Sequence, residues 1–363
     1  MTKQEKKPVT LRQVAERAGV SAATASLVLN GKGDISEPTR QRVLSAVRAM
    51  KYTPRTGRTR PDSVNTLRFL KIARHGHTVN RDHSHFIADY IDGMSWEATR
   101  RDYSLQVESF EGPDLDRIAE SLLSGDLRGA VILGTELTEA EIRTLAQSPL
   151  PMVFIDTYHP LLDLNFVDMD NDQAVFEVLR HLAERGFTRI GMVGSHTEVT
   201  NFALRRLAFG RGMAALGLPV EEAHVLSVDS TLEGAFEESR AQLADGRPLA
   251  EAYFCANDMI AFGFMKALRE RGLQIPQDIS VVGFDNLPIS AMSDPGLSTV
   301  EVPKRRIGAM AIRLLDDMLI ATSPEPATKA LISGALVSRE SVGRASGKHD
   351  ATIDIQSLAG HEG

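Results

Sequence analysis

The 363-residue sequence predicts a small all-α helix-turn-helix headpiece, followed by an α/β core of two lobes that each contain a parallel sheet. Three observations lead to this fold class. Three short amphipathic segments occupy residues 1–52, short apolar runs alternate with helical segments from Leu67 onward, and these runs form two sets, before and after residue 160. Strand–helix alternation is typical of parallel sheets that helices cover on both faces.

Caps and apolar spacing define the headpiece helices. Thr10 can cap a first helix that runs to Ala18, and Gly19 can end it in a left-handed conformation. Ser21 and Ser36 can cap a second and a third helix. The predicted inward faces are Leu11, Val14, Ala15 and Ala18, then Ala25, Val28 and Leu29, then Val43, Leu44, Val47 and Met50. A tight turn between the first two helices predicts a helix-turn-helix unit.

Charge is unevenly distributed along the chain. Residues 1–62 contain 13 Lys and Arg against five Asp and Glu, a net charge of +8, so residues 63–363 carry −15 of the total of −7. A basic arm on an acidic body indicates that the arm binds a polyanion. Because the apolar residues of the arm are periodic, a folded DNA-binding module is favoured over a disordered basic tail.

The remaining segments complete the predicted organisation. Residues 53–66 contain two prolines, a glycine and three arginines, which predicts a basic hinge or linker. Residues 67–342 are predicted to form the core, and residues 343–363 a flexible tail. Core strands are predicted at 67–73, 104–110, 129–134, 152–156, 189–194, 223–228, 252–257 and 279–285, and helices at 86–101, 115–123, 172–186, 203–216, 233–243 and 259–271.

Several classes of protein are disfavoured. No apolar run approaches the roughly 20 residues of a membrane span, and no apolar segment typical of a secretory signal follows the charged N-terminus. Cys255 is the single cysteine and is expected to be a buried packing residue. The motifs G-x-S-x-G, P-loop, CxxC and HExxH are absent from the sequence, which predicts a non-enzyme without cofactor or metal. These features together predict a cytoplasmic, nucleoid-associated protein.

Two consecutive motifs in the N-terminal segment are specific. "VAxxAGVSxxTxSxVLN" and "ISxxTRxxVxxAxxxxxYxP" closely resemble the DNA-binding headpiece of the Lac repressor family of bacterial transcription regulators. The resemblance continues through "VDMDNDQAVFEVLRHLAERGFTRIGMVG" and "FCANDMIAFGFMKALRERGLQIPQDISVVGFDN" and covers residues 9–344. It implies a homodimer, with a tetramer as an alternative, on a pseudo-palindromic operator. It also implies a core like the type I periplasmic binding proteins, in which the chain crosses between the lobes three times.

The resemblance assigns DNA contacts in the headpiece up to Tyr52, and the basic charge of the linker adds Arg55 and Arg58. The expected residues are Thr10, Leu11, Ser21, Ala22, Ala23, Ser26, Leu27, Asn30, Thr39, Tyr52, Arg55 and Arg58. The predicted recognition helix lacks long polar side chains between Ser21 and Asn30, so we expect Ala22, Ala23 and Leu27 to contact thymine methyl groups. The alternative is that these three residues only form helix and core.

The linker departs from the family pattern. Pro61 lies where relatives carry a leucine of a short hinge helix, and Gly57 lies within the same segment. Because both residues disfavour a helix, we predict that kinking of the operator centre by an apolar wedge is weaker or absent. Arg55, Arg58 and Arg60 can instead follow the minor groove or the phosphates.

Polar residues at predicted strand ends indicate a ligand cleft. By resemblance, Asp156, Asn257 and Asp285 line this cleft and bind effector hydroxyl groups, because carboxylates and amides suit a polyol. Asp258 can be a further ligand or a helix cap. Arg205 is the expected arginine contact, with Arg206 as the alternative.

The segment "RHGHTVNRDHSHF", residues 74–86, is rich in cations. His85 and Phe86 match cleft-lining positions of the family. The segment can bind an anionic effector such as a sugar acid or phosphorylated sugar, bind zinc, or form a solvated surface loop.

These observations predict a sequence-specific transcriptional regulator, most simply a repressor, whose operator affinity a small molecule controls. The predicted effector is a sugar or sugar acid that changes the closure of the two lobes. One alternative is control by a protein co-regulator that docks on the core. Another is a solute-binding protein of a sugar transporter, which the basic headpiece disfavours.

Overall fold

The computed structural model describes residues 11–21, 24–25, 28, 35–50, 65–74, 84–112, 114–123, 126–244, 246–323 and 325–345. The chain forms two compact units, Met1–Ser63 and Val64–Gly363. The first unit contains helices α1 (Leu11–Ala18) and α2 (Glu37–Met50), and residues 24, 25 and 28 between them are also helical.

The headpiece helices form where the caps and spacing predict them. Gly19 adopts a φ of 62°, and the N–H of Val20 donates to the carbonyl of Ala15 at 3.0 Å, so α1 ends in a left-handed glycine turn. The inward faces are confirmed for the side chains that the structure describes, whereas Leu11, Leu29 and Leu44 lie outside that set. The buried headpiece core contains Val14, Ala15, Ala18, Ala25, Val28, Val43 and Ala46.

The second unit contains an ordered succession of strands and helices. Its strands are β1 (Thr66–Ala73), β2 (Ser104–Glu111), β3 (Leu127–Leu133), β4 (Met152–Ile155), β5 (Phe166–Met169), β6 (Ile190–Ser195), β7 (Val225–Val228), β8 (Ala252–Cys255), β9 (Ser280–Val282), β10 (Thr299–Glu301), β11 (Lys329–Ile332) and β12 (Ala335–Val337). Its helices are α3 (Ser84–Arg100), α4 (Leu115–Leu123), α5 (Glu139–Leu145), α6 (Asn171–Glu184), α7 (Thr200–Ala215), α8 (Leu232–Ala244), α9 (Asp258–Glu270), α10 (Pro288–Met292) and α11 (Lys304–Ile320).

Two parallel sheets define two lobes. The first lobe contains a six-stranded sheet of order β11-β5-β4-β3-β1-β2, and the second a four-stranded sheet of order β7-β6-β8-β9. In β1, Leu67 and Phe69 pack with α3 on one face of the sheet, and Leu70 and Ile72 pack with α4 and α5 on the other. Helices therefore cover both faces, and the predicted fold class is confirmed.

The chain passes between the lobes three times. It leaves the first lobe after β5 and enters the second at α6. It returns after β9 through β10, which pairs antiparallel with β12, into α11. It leaves again after β11, and the carbonyl of Ser341 then accepts a hydrogen bond from the N–H of Val281 at 2.9 Å.

Helices α3 and α11 make a close contact that depends on glycine. A Cβ atom on Gly93 would lie 2.0 Å from the carbonyl oxygen of Arg305, and one on Gly308 would lie 2.3 Å from that of Tyr90. The missing side chains let the two backbones touch. This contact places Lys304, at the start of α11, beside Phe86 near the start of α3, with its Nζ 4.8 Å from the ring centroid.

Three expectations about the core need correction. The division of the strands at residue 160 was wrong, because β5 and β11 lie after it and join the first-lobe sheet. Strand β1 begins at Thr66, one residue inside the predicted linker. Residues 343–345 of the predicted tail belong to the core, because Gly343 donates to the hydroxyl of Ser280 at 3.0 Å and Ala345 donates to the carbonyl of Arg185 at 3.1 Å. The rest of that tail lies outside the described residues.

Candidate functional site

Two of the predicted DNA-contact side chains are described, and both stabilise the ends of headpiece helices. The hydroxyl of Ser21 accepts the N–H of Thr24 at 3.0 Å, which is the predicted cap of the second helix. The hydroxyl of Thr39 accepts from the hydroxyl of Ser36 at 3.0 Å and from Nη2 of Arg42 at 3.3 Å. The side chain of Leu11 lies outside the described set. The remaining predicted DNA contacts lie outside the described residues altogether, and they are Thr10, Ala22, Ala23, Ser26, Leu27, Asn30, Tyr52, Arg55 and Arg58. Pro61, Gly57 and Arg60 of the hinge prediction also lie outside that set, so these DNA-contact and hinge assignments stay predictions.

The core site begins where parallel strands end. Asp156 directly follows β4, while Asn257 and Asp285 lie two and three residues beyond β8 and β9. Carboxyl ends of parallel strands are the usual ligand edge of such sheets. Asp156 and Asp285 have φ angles of 57° and 111°, and Asn286 has 47°. Because non-glycine residues rarely adopt positive φ, the surrounding structure holds these side chains in fixed directions.

A cavity of about 20 Å³ lies between the lobes at these strand ends, which is room for about one water molecule. Two walls line it. The first-lobe wall consists of Phe86, Thr135 and Asp156. The second-lobe wall consists of Val199, Asn201, Phe202, Arg205, Asn257 and Asp285. The structure therefore brings together Phe86, Asp156, Arg205, Asn257 and Asp285, which are five of the six residues predicted for effector binding.

Asp156 is the centre of the first-lobe wall. The hydroxyls of Tyr90 and Thr135 donate to its carboxylate, Tyr90 at 3.0 Å, and Nδ2 of Asn201 donates to Oδ1 at 3.2 Å. Asn201 belongs to α7, so this last bond joins the two lobes. Burial raises the pKa of Asp156, and the hydrogen bonds from Thr135 and Tyr90 oppose that rise.

Arg205 is held in the second-lobe wall. Its Nε donates to Asn171 at 3.1 Å and its Nη1 donates to the carbonyl of Ala256 at 2.6 Å. The guanidinium lies over the ring of Phe284, 3.7 Å from the centroid, and its Nη2 is 3.7 Å from Oδ1 of Asp285. The structure places Arg205 rather than Arg206 at the cavity. Arg206 lines a separate surface groove.

Asp285 meets the first lobe through its backbone. The Nζ of Lys304 donates to the carbonyl of Asp285 at 3.0 Å and lies 3.5 Å from Oε1 of Glu301. This contact and the one between Asn201 and Asp156 are two polar connections across the cleft. Both lie beside the cavity.

Asn257, rather than Asp258, caps α9. Its Oδ1 accepts the N–H of Ile260 at 2.7 Å, while its Nδ2 is buried and donates to no acceptor among the described residues. Asp258 instead accepts hydrogen bonds from the N–H of Leu287 at 2.8 Å and the hydroxyl of Ser290 at 2.6 Å, and from Thr299. Asp258 thereby fixes the loop that carries Asp285. Burial and the neighbouring Asp285 raise its pKa to about 7.

Asp168 is a further buried carboxylate near the site that the sequence analysis did not single out. It lies in β5, where its Oδ1 accepts the N–H of Met169 at 2.8 Å and its Oδ2 accepts no hydrogen bond from the described residues. Burial raises the pKa of Asp168 well above its usual range, and the charge of Asp156 raises it further. Both effects favour the neutral acid.

Four lining residues were not predicted, namely Thr135, Val199, Asn201 and Phe202, and the sequence carried signals for two of them. Thr135 follows β3, so the strand-end rule that found Asp156 applies to it equally. Asn201 precedes Arg205 by four residues on α7, and residues at this spacing share a helix face. The assignment of Arg205 therefore also indicated Asn201.

The cation-rich segment is only partly described. Arg74 forms an ion pair with Glu141 at 2.9 Å, and its N–H donates to Glu136 at 2.6 Å, so it has a structural role. Phe86 packs edge-to-face on Tyr90, with ring centroids 5.4 Å apart. Residues 75–83 and the side chain of His85 lie outside the described set, so the three interpretations of this segment stay open. Within the described ranges, no group of three His, Cys, Asp or Glu residues could hold a metal ion.

The site has the chemistry of binding rather than of covalent catalysis. The thiol of Cys255 is fully buried, and burial raises its pKa well above the usual range, which confirms its predicted packing role. Carboxylate, amide and guanidinium groups meet at one cavity between two lobes, a geometry that suits a small polar ligand.

No helix in the described part of the chain is long and apolar enough to cross a membrane. A helix-turn-helix unit joined to such a core defines a DNA-binding regulator.

Comparisons with known proteins agree with this class. Residues 10–55 match the family "Bacterial regulatory proteins, lacI family", and residues 179–342 match "Periplasmic binding protein-like domain". Catabolite control protein A of Priestia megaterium is 30% identical over 312 residues, which are 85% of this chain and 91% of that protein. The transcriptional repressor PurR of Photobacterium profundum is 30% identical over 311 residues, 84% of this chain and 90% of that protein.

Solved structures share the fold. The Lac repressor dimer bound to operator and the anti-inducer ONPF has a TM-score of 0.68 at 22% identity, with 92% of this chain and 99% of that chain covered. The transcriptional regulator CelR in complex with cellobiose has a TM-score of 0.68 at 23% identity and the same coverage. The chain belongs to the LacI family of DNA-binding transcription regulators, whose members are not enzymes. Repressors of this family bind operator DNA and small-molecule effectors and are dimeric.

Proposed function

We propose that this protein is a repressor whose affinity for a pseudo-palindromic operator is controlled by a sugar or sugar acid bound between the core lobes. The observation that carries the proposal is the convergence of Asp156, Arg205, Asn257 and Asp285 on one cavity from both lobes. Among the solved structures of similar fold, one contains cellobiose and another ONPF, which supports a small-molecule ligand.

The proposed mechanism is a change in lobe closure. Effector groups would compete for the contacts that now cross the cleft, from Asn201 to Asp156 and from Lys304 to Asp285. A ligand shifts such an equilibrium only by its difference in affinity for the two lobe arrangements. A typical coupling of ~1–3 kcal/mol would change operator affinity by about 5–150-fold. In the proposed homodimer, or a tetramer built from it, this change would act on two headpieces at two operator half-sites.

The test uses Asp285→Ala, with Asp285→Asn as a milder variant because asparagine tolerates positive φ better than alanine. An operator is first selected from random DNA, and its affinity is measured by fluorescence anisotropy with and without a panel of sugars and sugar acids. Both variants should bind operator like the wild type but lose the response to the effector. Asp163→Ala, at an exposed position, is the matched control and should respond normally.

The outcomes separate the alternatives. An effector response that survives both Asp285 variants would contradict the assignment of this cleft. Operator binding that no small molecule changes, but that a cellular protein fraction does, would favour control by a protein co-regulator. Light scattering of the free protein, with a mass of one chain throughout, would contradict the proposed dimer.

A further inference from the structure

We propose that the effector carries a negatively charged oxygen group, a carboxylate or a phosphate, and that Lys304 and Arg205 bind it. The inference rests on the proposed function and specifies the class of ligand. Lys304 lies beside the cavity, because its Nζ donates to the carbonyl of Asp285 at 3.0 Å and is 4.8 Å from the ring centroid of Phe86, and both of these residues line that cavity.

The position of Lys304 is unfavourable for a cation that has only a structural role. Its side chain is 6% exposed, and it is the first residue of a 17-residue helix, where the helix dipole disfavours positive charge. Burial of an ammonium group also costs free energy unless it is well paired. Its described polar contacts are a neutral carbonyl and, at 3.5 Å, Glu301, whose side chain is 43% exposed. These contacts only partly offset the cost of burying the ammonium group, and an anionic ligand group beside it would supply the missing charge partner.

The second-lobe wall has donor capacity that protein groups use only weakly. Among the described residues, Nη2 of Arg205 makes only long contacts, 3.7 Å to Asp285 and 3.9 Å to the sulfur of Met169. Nδ2 of Asn257 is buried and donates to no acceptor among the described residues. These two donors and the ammonium of Lys304 all lie at or beside one cavity.

The main acceptor of the first-lobe wall is already largely used. The carboxylate of Asp156 accepts hydrogen bonds from Tyr90, Thr135 and Asn201. Apart from Asp285, whose carboxylate lies 3.7 Å from Nη2 of Arg205, the described site therefore offers spare donors, and the matching ligand supplies acceptors. Charged oxygens make hydrogen bonds roughly twice as strong as neutral ones, and guanidinium and ammonium groups prefer them. Burial also raises the pKa of Asp156, which lessens its repulsion of an anion.

The experiment measures binding by isothermal titration calorimetry to the full chain. The probes are sets with shared hydroxyl patterns: D-glucose, D-gluconate and D-glucose 6-phosphate, with the corresponding galactose and ribose sets. The variants are Lys304→Met and Lys304→Arg. Lys266→Met is the matched control, because Lys266 also lies over a phenylalanine ring, 3.6 Å from the centroid of Phe236, but away from the cavity.

We expect the wild type to bind one charged probe about tenfold or more tightly than its neutral counterpart. Lys304→Met should remove this preference while the neutral sugar still binds, Lys304→Arg should keep most of it, and Lys266→Met should match the wild type. Whichever of the carboxylate and phosphate probes binds more tightly identifies the charged group of the effector. Thermal melting verifies that Lys304→Met is folded.

A wild type that prefers neutral sugars would overturn the inference and leave the proposed function intact. An unchanged preference in folded Lys304→Met would also overturn it. If no probe, neutral or charged, binds or changes operator affinity, the proposed function fails together with the inference.

Discussion

The two walls of the cleft have opposite hydrogen-bonding states. In the first-lobe wall, Asp156 receives donors from three side chains and is therefore a satisfied, rigid acceptor. In the second-lobe wall, Arg205 and Asn257 keep donor atoms with only long contacts or none among the described residues. A satisfied network stabilises the folded protein, whereas unused donors are free to bind a ligand. Substitutions in the first-lobe wall should therefore mainly lower stability, and substitutions of the spare donors should mainly lower effector affinity.

The largest expected effect is on folding and comes from the first-lobe wall. Asp156→Ala leaves the hydroxyls of Tyr90 and Thr135 and the amide of Asn201 without their buried acceptor. Each such loss costs roughly 1–3 kcal/mol, and single substitutions rarely cost more than about 5 kcal/mol, so we expect a decrease of about 3–5 kcal/mol in the free energy of unfolding. The decrease is measured by urea unfolding, with the fluorescence of Trp96, the single tryptophan, as the signal from the first lobe.

Asp163→Ala, an exposed change, should stay within about 0.5 kcal/mol of the wild type in the same assay. A loss below about 1 kcal/mol for Asp156→Ala would show that the wall relaxes around the missing carboxylate and that its network is not a main source of stability.

A smaller effect should appear as a pH dependence in the second lobe. The pKa of Asp258 is about 7 in the native state, raised mainly by burial, whereas an unfolded aspartate titrates near 3.9. The native state therefore binds more protons between these values, and stability falls as pH rises from about 4 to 7. Asp258→Asn removes this contribution, which can amount to a few kcal/mol.

Urea midpoints at pH 4.5, 6.0 and 7.5 compare the two proteins. The wild type should lose more stability with rising pH than Asp258→Asn, although Asp156 and Asp168 contribute to the slope of both. If stability falls with pH by the same amount in the wild type and in Asp258→Asn, the result would contradict a native pKa near 7 for Asp258.

Asn257 has two roles, because its Oδ1 caps α9 and its Nδ2 is a spare donor. Two substitutions of Asn257 distinguish these roles, and they have the smallest expected effect on stability. Asn257→Ala removes both and should cost about 1 kcal/mol, whereas Asn257→Ser keeps a cap oxygen and should cost less than about 0.5 kcal/mol. Effector affinity should fall in both variants, because serine does not place a donor where Nδ2 lies. Chemical unfolding and calorimetric titration measure the two quantities. Unchanged effector affinity in Asn257→Ser would show that Nδ2 is not a ligand contact.

Local patterns explain what the sequence predicted correctly. The caps at Ser21 and Gly19 and the apolar spacing of α1 are properties of neighbouring residues, so they appear directly in the sequence. The strand-end positions of Asp156, Asn257 and Asp285 are also readable locally, while their assignment to a ligand cleft came from the family resemblance; all three line the cavity.

The features that the sequence left out or left open have a different origin. Strand β5 is four residues long and contains the carboxylate of Asp168, so its apolar pattern is interrupted. Helix α11 has its buried face at Ile307, Ala311, Ile312 and Leu315, a helical spacing that is visible in the sequence but absent from the predicted helices. The choice between Arg205 and Arg206 needed the packing of α7, because adjacent helix positions point in different directions.

The sequence by itself determined the two-part organisation, the helix-turn-helix pattern and the polar strand ends. These features arise from periodicity, caps and charge within short segments. Only the tertiary structure decided that β5 and β11 join the first-lobe sheet and that α3 and α11 touch at Gly93 and Gly308. It also decided that Lys304 lies at the cleft beside Phe86 and Asp285. The physical reason is that contacts between distant segments are selected by the burial of whole faces, which no local pattern encodes.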